Sequence, residues 1–489
     1  MYNHLITQFN LLSILVIGDM MTDRYLKGSS TRLSPEAPVP VVDIHTRTDV
    51  PGGAANTAIN LRLLGASVTF CSVTGADEEG MAALQLLEQH GITTAVYQHP
   101  FRQTIVKTRV QADGQLLTRY DCGTETPLTP EAEAMLCQML EQEYPRHDAV
   151  VIADYNKGLL TPAIIQKIEE LQAVHTKLLA VDAKKTSTYR RLRPSLVKPN
   201  YTETLQLTGL AAQPAGRCQQ VKAHGAQLHE ATGADIVAVT LDEEGAVVFH
   251  NNEAVAEVQA PYVPHPNVVG AGDVYIGAFT LARAAGATIP EAANIAGAAA
   301  AVAVTKTDTA HCRQSELEAH FSLQQKVNTG IEQVKALTDM YRAQGKKVVF
   351  TNGCFDILHS GHVSYLERAR ALGHVLIVGI NTDESIRRLK GSHRPINNLQ
   401  ERMQVLAGLE AVTHLVPFGK ETDDTPAELI TAIRPQVFVK GGDYTREELP
   451  EAALVEAMGG SVEILPLVPG RSTSLVIRKI STHKMLKTV

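Results

Sequence analysis

Short runs rich in valine and isoleucine alternate with stretches of helical periodicity along almost the whole chain. Each run is apolar at consecutive positions, which is typical of strands buried on both faces in parallel sheets covered by helices. The runs are residues 14–17, 149–152, 178–181, 236–239, 348–350, 375–380 and 437–439. This pattern predicts an α/β fold built on parallel sheets.

The chain has 489 residues, more than one hydrophobic core usually supports, so we expect two domains. Residues 320–330 are polar without a strand pattern, and a helical pattern follows at 331–341. We therefore predict domains at 1–325 and 326–489. Within the first, alternating residues on both sides of Asp113-Gly114 predict a hairpin, and hence a small antiparallel β flap projecting from the first sheet.

The charge and cysteine content of the chain argue against several classes of protein. The 45 Lys and Arg and 52 Asp and Glu give a formal net charge of −7 without long runs of either sign, which argues against nucleic acid as a partner. Six scattered cysteines without a Cys-x-x-Cys pair indicate neither a disulfide framework nor a cysteine zinc site. The apolar run 11–17 reads as a strand rather than a signal peptide, and the alanine-rich stretch 292–305 is too short to span a bilayer. We expect a cytoplasmic protein without membrane contact.

One stretch of the first half, NVVGAGDVYIGAF, is suited to binding phosphate. Gly270, Ala271 and Gly272 lead into an apolar helix, whose first N–H groups can face an anion and form an anion hole. Asp273 at the helix start can accept the proton of an attacking sugar hydroxyl. The alternative is a glycine-rich turn with Asp273 as the helix N-cap. The chain contains neither a Walker P-loop nor a Gly-x-Gly-x-x-Gly fingerprint.

Further polar residues follow predicted strands, where ligand crevices open in α/β sheets. Candidate sugar-binding residues are Asp19, Asp23, Gly52, Gly53 and Asn56, and a candidate magnesium or phosphate pair is Asn200 and Glu203.

These elements resemble, in their order, the ribokinase-type carbohydrate kinases over residues 10–318. The resemblance implies that Asp273 is the catalytic base, that the Gly-Ala-Gly amides form the anion hole, and that Asn200 and Glu203 belong to the phosphate and metal motif. Asn267 stands where the family usually has an acidic residue, near a monovalent-cation site of some members, so potassium activation is not predicted. For a phosphate on the sugar, Lys107, Arg109 and Lys157 remain open alternatives.

The second half contains TNGCFDILHSGH between a predicted strand and a predicted helix. This places His359 and His362 at the carboxyl end of a parallel sheet, where triphosphates bind. The alternatives are surface histidines at a helix start or a metal pair, although no His-Glu-x-x-His frame is present. The stretch resembles the His-x-Gly-His signature of cytidylyltransferase-like nucleotidyltransferases. The resemblance implies that both histidines contact phosphate oxygens and that Gly361 lets the nucleotide approach the backbone.

Near the end of the chain, GRSTS places hydroxyl groups before another apolar helix and resembles the motif that closes the same fold. Its residues are Arg471, Ser472, Thr473 and Ser474. Lys390 and Lys440 are either ligands of the polyphosphate or ordinary solvated lysines.

The order of the two halves, together with SPEAPVPVV, PGGAAN and KGGDY, resembles the bifunctional heptose kinase/adenylyltransferases of lipopolysaccharide precursor synthesis. This implies phosphorylation of heptose 7-phosphate at C1 and adenylyl transfer to heptose 1-phosphate, with Mg²⁺ and ATP, no organic prosthetic group, and a homodimer. No phosphatase motif is present, so we expect a separate phosphatase between the two reactions. The alternatives are another sugar kinase fused to a glycerol-phosphate-type cytidylyltransferase, and a non-enzymatic nucleotide sensor.

Overall fold

The structure, a computed structural model, describes residues 2–261, 263, 266–306, 310–328, 330–419, 423–442 and 445–466. The chain divides into two compact units, Met1–Glu318 and Ala319–Val489. Each of the seven apolar runs lies in a strand, so the prediction of an α/β fold is confirmed. None of the helices in the described ranges has the length and apolar character that crossing a bilayer requires.

The first unit contains thirteen described strands and ten described α-helices. The strands are β1 (Ser13–Gly18), β2 (Met20–Leu33), β3 (Pro40–Gly53), β4 (Ser67–Gly75), β5 (Thr93–His99), β6 (Ile105–Ala112), β7 (Gln115–Cys122), β8 (Ala149–Asp154), β9 (Leu178–Ala183), β10 (Leu196–Val197), β11 (Ile236–Thr240), β12 (Ala246–His250) and β13 (Glu253–Val258). The helices are α1 (Asn3–Ile6), α2 (Ala54–Leu63), α3 (Glu78–Gln89), α4 (Pro130–Glu143), α5 (Pro162–Val174), α6 (Tyr201–Thr208), α7 (Arg217–Lys222), α8 (Gly225–Thr232), α9 (Ala271–Ala284) and α10 (Ile289–Ala303).

The main sheet of this unit has the order β13-β12-β11-β10-β9-β8-β1-β4-β5. The strands from β11 to β5 are parallel, and β12 and β13 extend one edge antiparallel. Leu15 and Ile17 pack into a core with residues of α4 and α5, while α2 and α9 contact the sheet in the β1 and β8 region. The strand order reverses at β1, because β4 and β5 lie on one side of it and β8 lies on the other. In open α/β sheets a crevice opens at such a reversal, here beyond the carboxyl ends of β1 and β8.

The flap is a second sheet with the order β3-β2-β6-β7. The predicted hairpin joins β6 and β7, and Asp113 and Gly114 both have positive φ, as a tight two-residue hairpin turn requires. The flap is larger than the sequence pattern indicated, because β2 and β3 are strands of 14 residues each. It is also not purely antiparallel, since β2 pairs with β6 in parallel. The strands β2 and β3 lack a continuous apolar run because most of their residues are exposed or only partly buried.

The second unit is built on a five-stranded parallel sheet. Its strands are β14 (Val348–Gly353), β15 (Val375–Asn381), β16 (His414–Phe418), β17 (Val437–Gly441) and β18 (Ser461–Leu465), in the order β16-β15-β14-β17-β18. Its helices are α12 (Ile331–Ala343), α13 (Ser360–Arg370), α14 (Asp383–Lys390), α15 (Leu399–Ala407), α16 (Ala427–Ile433) and α17 (Pro450–Ala457). The strand order reverses between β14 and β17, which is where ligands bind in open α/β sheets.

The helix α11 (Gln314–Lys326) includes the boundary between the two units. Short 3-10 helices lie at Thr7–Leu11, Tyr144–Arg146, Thr186–Leu192, Asp242–Glu244 and Arg446–Glu448.

Two candidate active sites

Asp273 lies in the first turn of α9, as the sequence pattern predicts. The N-cap of this helix is Gly270, whose φ of 88° is favourable for glycine, and no side chain caps the helix start. Asp273 is the third helical residue and is only 6% exposed. This geometry excludes the alternative in which Asp273 serves as the N-cap.

Three side chains donate hydrogen bonds to the Asp273 carboxylate. Asn56 Nδ2 donates to Oδ2 at 2.6 Å, Thr57 Oγ1 donates to Oδ1 at 3.0 Å, and the Tyr155 hydroxyl donates to Oδ1 at 2.8 Å. Burial raises the pKa of Asp273, whereas these hydrogen bonds and the Lys198 ammonium oppose the rise. Asn56, which the sequence analysis assigned to sugar binding, therefore contacts the Asp273 carboxylate. The contacts of Thr57 and Tyr155 with Asp273 were not predicted from the sequence.

The glycine-rich stretch before α9 presents its backbone beside a buried lysine. The N–H of Ala271 donates to the Val268 carbonyl at 3.2 Å, whereas the N–H groups of Gly270 and Gly272 have no acceptor among the described residues. A Cβ placed on Gly272 would stand 3.1 Å from Lys198 Nζ. Backbone donors and an ammonium group therefore adjoin at the start of α9.

Lys198 is a candidate functional residue that the sequence reasoning missed. It follows β10, is 5% exposed, and forms an ion pair of 3.1 Å with Asp182 of β9. Burial raises the pKa of Asp182 to about 6, although Lys198 opposes the rise. The available signal was a lysine directly after a buried strand, in the VKPN stretch that also contains Asn200.

Asp19 holds the loop after β8 at the crevice between β1 and β8. Its Oδ2 accepts hydrogen bonds from the backbone N–H groups of Tyr155 and Lys157 at 2.9 and 3.2 Å, and its Oδ1 accepts one from Leu159 at 3.2 Å. Burial and the Asp154 carboxylate raise the pKa of Asp19 to about 6, although the backbone hydrogen bonds oppose the rise. Asp19 therefore positions the loop that carries Tyr155.

The three basic candidates for a sugar phosphate lie in different surroundings. Arg109 pairs with Asp23 of β2, and Lys157 pairs with Glu125. Lys107 of β6 makes no ion pair with any described residue, and its ammonium lies 5.8 Å from the centre of the Tyr155 ring. Partial burial lowers the pKa of Lys107.

Gly52 and Gly53 end β3 where the chain enters α2. A Cβ on Gly52 would lie 2.2 Å from Asp23 Oδ2, so a side chain there is incompatible with the position of this carboxylate. Gly53 is the N-cap of α2, with φ of 60°. The two glycines allow the flap strands and the helix that carries Asn56 to meet.

Asn200 and Glu203 form the capping box of α6. Asn200 Oδ1 accepts from the Glu203 N–H, and Glu203 Oε2 accepts from the Asn200 N–H, both at 2.9 Å. Lys184 donates to the other Glu203 oxygen at 2.9 Å. Each oxygen of the Glu203 carboxylate therefore accepts one hydrogen bond. In the described part of the chain, no group of three or more His, Cys, Asp or Glu residues is suited to binding a metal ion.

His359 and His362 meet at the start of α13, immediately beyond β14. His359 is the N-cap and His362 the third helical residue, and their rings stack with centroids 3.9 Å apart. Burial, and secondarily the neighbouring His359 and Lys390, lower the pKa of His362 to about 4. His362 Nδ1 is buried without a hydrogen-bond partner among the described residues. Gly361 lies between them as the second helical residue.

The other basic candidates of the second unit differ in their contacts. Lys440, in β17, donates to Asn352 Oδ1 of β14 at 3.0 Å and to Glu451 at 3.3 Å, so it lies where the strand order reverses. Lys390 ends α14, is exposed, and its charge acts on His362. Arg471, Ser472, Thr473 and Ser474 lie outside the described residues.

Two buried charges near this site were not anticipated. Asp356 of the TNGCFD stretch pairs with Arg394 and accepts the Ile396 N–H at 2.7 Å, which fixes the RPIN segment. Arg402 is 1% exposed and donates to the carbonyls of Cys354 and Asn381. Both charges shape the loops beyond the carboxyl ends of β14 and β15.

Comparison with known families agrees with this two-unit arrangement. Residues 11–316 match the pfkB family carbohydrate kinases, and residues 350–479 match the cytidylyltransferase-like family. Phosphofructokinase-2 from Escherichia coli has the fold of the first unit, with a TM-score of 0.52, 20% identity, and coverage of 64% of this chain and 98% of that one. A ribokinase of Arabidopsis thaliana has the same fold, with a TM-score of 0.50, 18% identity, and coverage of 63% of this chain and 98% of that one. Fold and sites define a carbohydrate kinase fused to a nucleotidyltransferase.

Two relatives match almost the entire chain. Bifunctional protein HldE of Trichlorobacter lovleyi is 38% identical over 485 residues, covering 98% of each chain. Bifunctional protein HldE of Pseudomonas aeruginosa strain UCBPP-PA14 is 39% identical over 477 residues, covering 97% of this chain and 98% of the relative. The chain belongs to the HldE family of bifunctional enzymes, and the sequence-based assignment to bifunctional heptose kinase/adenylyltransferases is confirmed.

Proposed function

We propose that the first unit phosphorylates heptose 7-phosphate at C1 with MgATP, and that the second transfers AMP from MgATP to heptose 1-phosphate. The observation that carries the kinase proposal is a buried carboxylate, Asp273, at a helix start with unengaged backbone donors and Lys198 beside it. A non-enzymatic sensor would need the phosphate donors but no buried base. The same arrangement therefore favours an enzyme over the sensor.

In the kinase reaction, Asp273 accepts the proton of the C1 hydroxyl as the oxygen attacks the γ-phosphorus. The N–H groups of Gly270 and Gly272 and the Lys198 ammonium stabilise charge on the transferring group. Glu203 would hold a Mg²⁺ bound to ATP, directly or through water, and the ion would neutralise charge on the phosphates. The sugar then leaves as heptose 1,7-bisphosphate.

Lys107 is the residue we assign to the 7-phosphate of the sugar. Arg109 and Lys157 already have carboxylate partners, so recruiting either would break an ion pair. Lys107 is partly buried without such a partner among the described residues, and the ring of Tyr155 connects it to Asp273. A phosphate dianion here would oppose the lowering of the Lys107 pKa by burial, because an opposite charge raises the pKa of an amine. Lys107→Met should raise KM for heptose 7-phosphate more than tenfold with little change in KM for ATP.

In the second reaction, a phosphate oxygen of heptose 1-phosphate attacks the α-phosphorus of ATP and pyrophosphate leaves. The attacking group is already ionised at neutral pH, so no protein base is needed. His359 and His362 donate hydrogen bonds to phosphate oxygens, and Lys440 and Lys390 add positive charge. The depressed pKa of His362 keeps this ring neutral before the nucleotide binds.

A phosphatase acting between the two reactions is part of this proposal. The kinase product carries a 7-phosphate that the nucleotidyl acceptor lacks, and the sequence has no phosphatase motif. With heptose 7-phosphate, ATP and magnesium, phosphorus NMR should show the 1,7-bisphosphate accumulating, and ADP-heptose only after a separate phosphatase is added. ADP-heptose formed by the purified chain alone would refute this order.

A panel of substrates separates the alternatives. Ribose, fructose 6-phosphate and heptose 7-phosphate are compared as phosphoryl acceptors, and ATP and CTP as nucleotidyl donors with heptose 1-phosphate and glycerol phosphate. Turnover only of the heptose phosphates with ATP is expected. Preferred use of ribose or of CTP would support the other kinase–cytidylyltransferase pairing, and absence of all turnover would support the sensor.

The flap is the surface we assign to a homodimer. Every residue of β7 is exposed, and this edge strand has no partner on its outer side within the described residues. The flap also exposes Leu33, Ile44, Leu116 and Tyr120, which are between 43% and 64% exposed. Leu116→Asp should shift sedimentation toward monomer, whereas Val174→Asp, at a 75% exposed position outside the flap, should not.

A further inference from the structure

The Asp273 carboxylate has an unequal distribution of hydrogen-bond donors. A carboxylate accepts about four hydrogen bonds, two on each oxygen. Oδ1 accepts from Thr57 and Tyr155 and is therefore saturated. Oδ2 accepts only from Asn56 among the described residues, which leaves one acceptor position.

We propose that Tyr155 is a positioning residue that blocks Oδ1 of Asp273, so that Oδ2 alone takes the proton from the sugar hydroxyl. This inference rests on the proposed kinase reaction. The C1 O–H bond breaks and its proton goes to Oδ2, while the sugar oxygen bonds to the γ-phosphorus. The bond from that phosphorus to the bridging oxygen breaks, and ADP leaves with the electron pair.

The position of Tyr155 is itself determined by the fold. Its backbone N–H donates to Asp19 Oδ2 at 2.9 Å, so the loop after β8 is fixed to the chain after β1. Its ring lies under the ammonium of Lys107 on the flap, which leaves the hydroxyl aimed at α9. Burial and the Asp273 carboxylate raise the pKa of Tyr155 well above its usual value, so the hydroxyl stays protonated and acts as a donor.

This arrangement connects acceptor recognition to the base. A phosphate bound at Lys107 would rest against the ring whose hydroxyl holds Asp273, so flap, loop and base form one contiguous set of contacts. The ionisable groups that act on Asp273 and Tyr155 from the neighbouring elements are Lys198, Asp182, Asp23 and Lys107, and Glu203 acts in turn on Asp182 and Lys198. Replacing only the Tyr155 hydroxyl leaves all of these charges in place.

The test compares pH profiles of kcat/KM for heptose 7-phosphate in the wild type and in Tyr155→Phe. The hydroxyl stabilises the ionised carboxylate, so its loss raises the Asp273 pKa further. In Tyr155→Phe, the acid limb of the kcat/KM profile should therefore move to higher pH by about one unit, as expected for losing one hydrogen bond to a charged group. Thr57→Val removes the other Oδ1 donor and should move the limb in the same direction. Adenylyl transfer by the same preparations should be unchanged.

Tyr144→Phe is the matched control, because this buried tyrosine donates to Gln172 at 2.7 Å away from the site. Its kinase pH profile should equal that of the wild type. If the acid limb of the kinase pH profile is unshifted in Tyr155→Phe, with or without a lower KM, the inference is overturned. Unfolding of Tyr155→Phe under conditions in which Tyr144→Phe folds would also overturn it. A wild type without kinase activity on heptose 7-phosphate would refute the proposed function instead.

Discussion

Lys198 and Asp182 form an ion pair of 3.1 Å next to the glycine-rich start of α9, and the Lys198 side chain is only 6% exposed. Buried ion pairs stabilise little when intact, but removing one partner leaves an uncompensated charge. The position of this ammonium, beside the backbone of Gly272, is the basis for its proposed contact with the transferring phosphate. Its structural and catalytic contributions can be separated by mutation.

Lys198→Met should destabilise the protein by about 3 kcal/mol, since it leaves Asp182 without its buried partner. It should also lower the kinase rate at least about tenfold. The double variant Lys198→Met/Asp182→Asn should recover most of the stability in urea unfolding but not the kinase rate. Recovery of both would show that Lys198 serves only to neutralise Asp182.

Asp273→Asn should lose at least about a hundredfold in kinase rate, because asparagine cannot accept the proton of the sugar hydroxyl. Adenylyl transfer should persist, since that reaction takes place in the other unit. The measurement is initial rates of both reactions on one preparation, with circular dichroism as the control for folding. Near-normal kinase turnover in the folded variant would remove Asp273 from its assigned role.

Alanine at His359 or at His362 should lower adenylyl transfer by roughly tenfold to a thousandfold, because each removes a donor to developing phosphate charge. Sugar phosphorylation should be unaffected. Rates of pyrophosphate release and of ADP release measure the two reactions separately. Equal loss of both activities would indicate a folding defect rather than a role in nucleotidyl transfer.

The lowered pKa of His362 predicts a pH dependence of stability. The unfolded chain binds a proton at this histidine near its ordinary value of 6.5, whereas the folded protein binds it only near pH 4. The free energy of unfolding should therefore fall as the pH is lowered through this window. Urea unfolding of His362→Asn should show a weaker fall than the wild type. His393→Asn, at an exposed position, is the control and should behave as the wild type does.

The predicted domain boundary can be tested with fragments 1–325 and 326–489. Each fragment contains complete sheets and its own candidate phosphate site, so each should fold and retain one activity. The cut lies one residue before the end of α11, and the division between compact units lies at Glu318 and Ala319. A second pair cut at that division is the matched comparison. Insoluble fragments, or activity only after mixing, would contradict independent folding.

The sequence by itself determined the α/β class and the positions of the candidate phosphate-binding stretches at helix starts. Both are local properties: apolar runs bury both faces of a strand, and small residues before a helix expose its first N–H groups. The hairpin at Asp113-Gly114 is equally local and was predicted. The long strands β2 and β3 were not, because their exposed residues follow no continuous apolar pattern.

Only the tertiary structure decided which side chains surround Asp273. Asn56 lies 217 residues before it and Tyr155 lies 118 residues before it, and each is brought there by strand order rather than by spacing along the chain. The order of parallel strands depends on how helices cover the whole sheet, which no short stretch of sequence encodes. Lys198 illustrates the same limit, since its significance comes from the neighbouring strand that supplies Asp182 and from the helix start it faces.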